Sequence, residues 1–304
     1  MIRCRPLLQK GFRMFACLML IFSTFAVFPG AATAQRDALR IGIEPEHNIF
    51  DQMERYRYLA GYLSEKLGLR IDLTIMSRYG EVINRFKALR LDGAFLTPYT
   101  ATMGIRDLHL EPLVNPVNLK GESMSQGYIF VREDSGIREF KDMLDKSIVF
   151  VDPATFEGFL FPLVYLREHG IMGIGHFSNR VYFSGSHASA IFAVLDGRAD
   201  IGAAKNTVFQ KLVQSDPLIR RELLILAESP KVPEITLCIT KDISADVRSK
   251  LETILLQMDK NPEGKTILTR FEALRFIKVN KADYEKIGEM AEDALADMKE
   301  HGRD

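Results

Sequence analysis

The sequence predicts an α/β protein of two lobes, each a mostly parallel sheet flanked by helices, the two joined by a pair of hinge crossovers. Three observations predict it. Strand-like and amphipathic helical segments alternate along most of the chain, the pattern of repeated βα units. Ala94-Phe95-Leu96 has no polar face, as in a parallel strand covered on both sides. A plan also recurs: Phe86 to Leu96 and Phe192 to Ala204 each run from a helix end through a tight polar turn and an Asp into a small-residue strand. Asp92-Gly93-Ala94 and Asp200-Ile201-Gly202 are the matching points.

The first element is a leader. Arg3, Arg5, Lys10 and Arg13 precede an apolar run, Met14 to Phe28, and Ala32-Thr33-Ala34 has the small-x-small form of a cleavage site. This is a secretory signal peptide over residues 1–34, cut after Ala34, so the mature chain is expected in the periplasm. No long hydrophobic span follows it, and a soluble mature protein is expected. Cys4 and Cys17 leave with the leader, and Cys238, in the strand pattern Ile235 to Ile239, reads as a small buried hydrophobe. Of the 40 Lys and Arg, four lie in the leader, leaving 36 against 40 Asp and Glu, a net of −4. That charge argues against nucleic acid or an anionic membrane as partner.

Leu39, Ile41 and Ile43 alternate in a strand, Ala38 to Glu44. Glu44, Glu46 and His47 follow closely and read as a solvated loop. Ile49, Met53, Tyr56, Ala60, Leu63 and Leu67 line one face of a helix that Gly68 stops. Ile71 to Ile75 is a strand, Val82 to Leu89 a helix, and Ala94 to Leu96 a strand. Thr97 then stands at an N-cap with Pro98 at the first helical position. Leu110 to Leu119 is extended but broken by Pro112 and Pro116, and a crossover is expected between Lys120 and Gly127. Tyr128 to Val131 and Ile148 to Val151 are strands. Asp152-Pro153-Ala154-Thr155 leads into a helix reaching Gly170, in which Pro162 marks a kink or the first turn. Strands at Val181–Phe183, Asp200–Ala204 and Leu223–Leu226 follow, with a return crossover at Ser229 to Pro233. Helices through Leu251, through Leu268 and from Tyr284 to Met298 close the chain. Lobe 1 is thus residues 35–123 with 232–304, and lobe 2 is residues 124–231.

The stretch Val181 to Ala188 carries the chemistry. A buried strand, Gly185 for the turn and Ser186 as N-cap present the first amides of a helix, whose start is positively polarised. Such a start suits a small anion, and His187 in the first turn has a ring nitrogen to donate. Taken alone, an ordinary strand-to-helix turn reads the same. Its weight comes from repetition: Thr97, Thr155 and Ser186 mark three such starts, and ligands in open α/β sheets lie beyond the carboxyl ends of strands. Lys205 would add charge but reads equally as a surface lysine, and Tyr99 either closes the pocket or packs in the core. The histidines show no H-x-H or H-E-x-x-H spacing, so no metal is expected; no nucleophile elbow is present, and no enzyme is expected.

These residues resemble a family. Ile43-Glu44-Pro45, Tyr62 to Gly68, Val131 to Ile137, Val151-Asp152-Pro153, Phe183-Ser184-Gly185-Ser186-His187, Ala199 to Ala204 and Ser229-Pro230 are similar to the periplasmic substrate-binding proteins of phosphonate, phosphite and phosphate ABC transporters. The resemblance implies a type II periplasmic-binding fold and a small oxyanion held by Ser186 and His187, opposed by Thr97 to Tyr99. It implies no cofactor, a monomer, and a membrane permease as partner. A sensor role with a membrane histidine kinase is the alternative. Two departures stand out. The family's Ser/Thr run after Asp152-Pro153 is here Ala154-Thr155-Phe156-Glu157-Gly158, where Glu157 would repel an anion if it faced inward. Asn206 and Thr207 occupy the place where binders of aminoalkyl phosphonates put an acid. The expected ligand set is Thr97, Tyr99, Thr155, Ser186, His187 and Asn206.

Overall fold

The computed structural model describes residues 37–46, 49–178 and 180–301. The expected leader and His47 lie outside these residues. Strands come in chain order as β1 (Ala38–Ile43), β2 (Arg70–Ile75), β3 (Gly93–Leu96), β4 (Glu111–Asn118), β5 (Met124–Ser125), β6 (Gly127–Arg132), β7 (Ile148–Phe150), β8 (Val181–Phe183), β9 (Ile201–Lys205), β10 (Leu223–Glu228), β11 (Val232–Pro233), β12 (Thr236–Ile239) and β13 (Ala273–Lys278). The α-helices are α1 (Ile49–Leu67), α2 (Glu81–Arg85), α3 (Pro98–Asp107), α4 (Phe161–Glu168), α5 (Ile174–Phe177), α6 (His187–Leu195), α7 (Asn206–Ser215), α8 (Leu218–Glu222), α9 (Ala245–Leu256), α10 (Pro262–Arg270) and α11 (Glu285–His301).

Two sheets form. The first has the order β13-β4-β12-β3-β1-β2 and the second β10-β6-β9-β7-β8. Each contains a parallel trio, β2-β1-β3 in one and β8-β7-β9 in the other, completed by antiparallel strands. The echo read from the sequence has a physical counterpart here. Asp92 accepts from the Arg40 amide at 2.9 Å, and Asp200 accepts from the Ser147 amide at 2.8 Å. Each aspartate thus ties the start of its sheet's β3 or β9 to the neighbouring parallel strand. The chain passes between the sheets twice, and the two passages pair: Val232 lies opposite Ser125 and Pro233 opposite Met124 in the ribbon β5–β11.

Two strand expectations change, and the helix expected over Val82 to Leu89 is the shorter α2, Glu81–Arg85. The Val181–Phe183 strand is not buried, with Tyr182 37% and Phe183 47% exposed. Sequence shows that a segment is apolar, but sheet order decides that β8 is an edge. β4 runs unbroken through Pro112 and Pro116. Proline removes ladder donors, and both partner strands shift register along β4, between Leu237 and Cys238 and between Ala273 and Arg275. Helix α1 matches its predicted span, and Gly68 closes it at φ +72°. The segment after Thr155 opens as a π turn, Phe156–Leu160, before α4, with Pro162 in the first α turn. Cys238 is fully buried in β12, and burial pushes its thiol up from the ordinary range.

One apolar core cluster draws on both sheets, joining Met76, Leu96 and Tyr99 to Ile129, Phe150 and Phe159. Helix α11 lies against α3 and also α4, where Arg167 meets Asp293 at 3.8 Å. Among the described residues no helix is long and apolar enough to cross a membrane.

Candidate functional site

The carboxyl ends of β1, β3, β7, β8 and β9 meet in one polar cluster. Glu44 follows β1 and is fully buried. One of its oxygens accepts from the Gly80 amide at 2.8 Å. The other accepts from the Thr97 amide at 2.9 Å, the Thr97 hydroxyl at 3.0 Å and the Thr100 hydroxyl. Burial pushes its pKa up to about 7, against the pull of these hydrogen bonds. Gln52 of α1 pins the loop by donating to the Glu44 carbonyl and accepting from the Glu46 amide.

Across from Glu44, Lys205 ends β9. Its ammonium holds Glu46 at 2.7 Å and Glu234 at 2.6 Å, with the three side chains 4%, 10% and 11% exposed. Burial alone would depress the Lys205 pKa. Glu234, Glu46 and Glu157 outweigh it and hold the pKa well above the ordinary lysine value. Glu157 is itself buried and accepts from the Ser125 hydroxyl of β5 at 2.8 Å; burial raises its pKa, opposed by Lys205. His187 opens α6 and accepts on Nδ1 from the Lys205 amide at 3.1 Å. The His187 ring meets the Tyr79 ring edge-on, centroids 5.9 Å apart.

Tyr79 and Gly80 sit between the sheets. Gly80 has φ +69°, and a Cβ there would lie 2.8 Å from the Ala154 Cβ. Glycine is therefore required both by conformation and by the close approach. The Tyr79 hydroxyl is buried without a hydrogen-bond partner. Burial, then Glu46, keeps its pKa well above the ordinary range, and Lys205, Glu44 and Glu157 also act on it. Such a hydroxyl is costly to bury and unused until something reaches it.

The six residues expected from sequence fall into place unevenly. Thr97 and His187 border this cluster. Thr97 stands at its N-cap, but its hydroxyl serves Glu44 instead of capping α3. Ser186 caps α6 by accepting from the Ser189 amide at 3.1 Å and stays half-buried. Thr155 is buried beside Ala154, its hydroxyl donating to the Asp152 carbonyl at 2.7 Å. Asn206 opens α7 and ties Gln126, accepting from its amide at 3.0 Å and donating its own amide to the carbonyl at 2.8 Å. Tyr99 packs in the core, with Arg106 and Asp107 as the charges acting on its hydroxyl, and is not brought to the cluster.

Sequence reasoning missed the cluster's centre. Glu44 and Glu46 are not a solvated loop, and Lys205 is not a surface lysine, because each finds its partners across the fold. Tyr79, Gly80 and Glu234 were not singled out. The available signal was position: every one of these residues lies at or just past a strand end, or on a crossover. Among the described residues no three His, Cys, Asp or Glu side chains are grouped to hold a metal ion.

A family model described as the phosphonate ABC transporter periplasmic substrate-binding protein matches residues 41–284. The chain is 26% identical over 255 residues to the phosphate-import protein PhnD of Mycolicibacterium smegmatis, covering 80% of this chain and 79% of that one. It is 24% identical over 249 residues to the phosphonates-binding periplasmic protein of Escherichia coli, covering 80% and 72%. Its fold is similar to that of PhnD1 from Prochlorococcus marinus in complex with methylphosphonate, with TM-score 0.74, 20% identity, and 86% and 99% of the two chains covered.

Proposed function

Because the chain belongs to the family of periplasmic substrate-binding proteins of phosphonate ABC transporters, we propose that it closes two lobes over a small oxyanion-bearing ligand and hands it to a membrane permease. Members of this family carry substrate and are not enzymes. The lobes are residues 35–123 with 232–304 and residues 124–231, and the β5–β11 ribbon is the hinge between them. The leader exports the chain, and the mature protein works as a monomer in the periplasm.

One observation carries the reading: residues of the two lobes meet in a buried polar cluster, Lys205 on Glu46 and Glu234, and Tyr79 on His187. A binding protein needs such a meeting, since ligand must favour the closed form over the open one. The oxyanion end rests on Ser186, His187 and the start of α6, with the Tyr79 hydroxyl as an added donor. Thr97 acts from the other lobe through Glu44, while Thr155 and Asn206 frame the pocket. Glu46, Glu157 and Glu234 outnumber Lys205 in the wall. They supply the acids that Asn206 and Thr207 lack, and a ligand with a cationic far end suits them best.

A melting screen with phosphate, phosphite, methylphosphonate, aminoethylphosphonate and sulfate tests this. Ligand at about 100 times its Kd adds roughly 2.7 kcal/mol, a rise of about 5–10 °C at this size. The largest shift is expected from aminoethylphosphonate. Flat curves throughout would remove the oxyanion.

A further inference from the structure

We propose that the Glu44 carboxylate is a resident occupant of an oxyanion seat at the start of α3, and that by filling the seat Glu44 sets which ligands the cleft accepts. The specificity half of this rests on the function proposed above; the seat itself does not.

The donor set is that of an anion site and not of an ion pair. Two amides and two hydroxyls converge on one carboxylate from Gly80, Thr97 and Thr100. All are neutral donors, and they come from two separate stretches of chain. Thr97 precedes a ten-residue helix, whose polarised start favours negative charge. A tetrahedral oxyanion recruits the same kind of donors. Here the protein supplies the anion from its own β1.

A second observation points to a ligand beside the seat. Tyr79, adjacent to Gly80, is 5% exposed, and its hydroxyl has no partner. That hydroxyl lies under the influence of Glu46, Lys205, Glu44 and Glu157. It is an unused donor on the residue next to Gly80, whose amide serves the seat. With Glu44 in place, a doubly charged anion that moved past this hydroxyl into the seat would meet a carboxylate. The anionic end of a ligand is therefore directed to the His187 side, and the lobe 1 side admits neutral or cationic groups.

The test vacates the seat. Glu44→Ala leaves the Gly80 and Thr97 amides without an acceptor, while the Thr97 and Thr100 hydroxyls keep each other and the Thr97 carbonyl; an added small anion relieves the two amides. Formate and sulfate are titrated by calorimetry and by melting against chloride at matched ionic strength. Expected is a larger rise in melting temperature with formate or sulfate for Glu44→Ala than for the wild type, with sulfate affinity improved by about tenfold over wild type. Glu44→Gln, which keeps the seat filled, gains nothing. If Glu44→Ala does not fold, Glu44→Ser opens nearly the same space and carries the same expectation. Equal responses of wild type and the vacated variants overturn the proposal. If the wild type binds none of the screening ligands while Glu44→Ala gains formate, the seat stands and the proposed function falls. If the wild type binds a screening ligand and Glu44→Ala gains no anion, the seat falls alone.

Discussion

Replacing Lys205 by Met is the most direct perturbation of the buried cluster. Methionine keeps the length of the side chain and removes its charge. In the wild type the ammonium lies 2.7 Å from Glu46 and 2.6 Å from Glu234, with all three side chains nearly or fully withdrawn from water. Removing one partner of a buried pair leaves uncompensated charge and costs about 3–5 kcal/mol. At about 2–4 °C per kcal/mol, that is a melting drop of roughly 6–20 °C if the cluster stays closed. The two-lobed reading gives the protein another outlet, because parting the lobes lets water reach both carboxylates. The drop should then fall at the low end of this range while the radius of gyration grows. The chain has no tryptophan, so melting is followed by far-ultraviolet circular dichroism and opening by small-angle scattering. Adding Glu234→Gln to Lys205→Met should recover part of the loss, since it removes one orphaned charge. A Lys205→Met protein that melts within a degree or two of wild type, with unchanged dimensions, would refute the assignment of these ion pairs as the contact between the halves.

Three further outcomes are expected. Gly80→Ala meets both a positive φ and the Ala154 Cβ, whereas Gly68→Ala meets the positive φ alone; both should lose about 1–2 kcal/mol of stability, but only Gly80→Ala should weaken ligand, and equal affinities in the pair would sink the close-approach argument. Tyr79→Phe removes a hydroxyl that has no partner, so ligand-free stability should hold within about 1 kcal/mol or rise while affinity falls; a stability loss with unchanged affinity contradicts it. Stability should also decline with rising pH. Glu44 has its pKa raised from 4.5 to about 7, so the folded form holds the proton more tightly, and the contribution is complete below the unfolded value and lost as pH climbs through 7. The loss amounts to about 3 kcal/mol, and Glu157, raised in the same direction, adds to it. Melting temperature against pH should flatten in Glu44→Gln, and an unaltered slope would remove Glu44 as its source.

Most of the fold is legible because its signals are local. The face of α1, the stop at Gly68, the Ser186 cap and the Asp92 and Asp200 turns each need fewer than about twenty neighbouring residues to be seen. The site is not local. Glu44 finds Gly80 36 residues on and Thr97 53 residues on, and Lys205 finds Glu46 across 159 residues. In a short window Glu44-Pro45-Glu46 is simply polar and next to a proline, and a solvated loop is the natural reading. The exposure of β8 failed for the same reason, since its edge place depends on strands far away in sequence. His187 stands out in the sequence because glycine, a capping serine and a ring-bearing residue stand together. Tyr79 was missed because nothing beside it announces that its hydroxyl goes unmatched.

Helix α11 is laid over both halves of the molecule, resting on α3 at one side and on α4 at the other. Under the lobe closure proposed above, a rod that rests on both lobes cannot stay fixed to both. It would have to slip along one of them or bend, so its packed surfaces would act as a brake on the swing. The extent of the proposed opening would then be set by the packing of α11 as well as by the polar cluster.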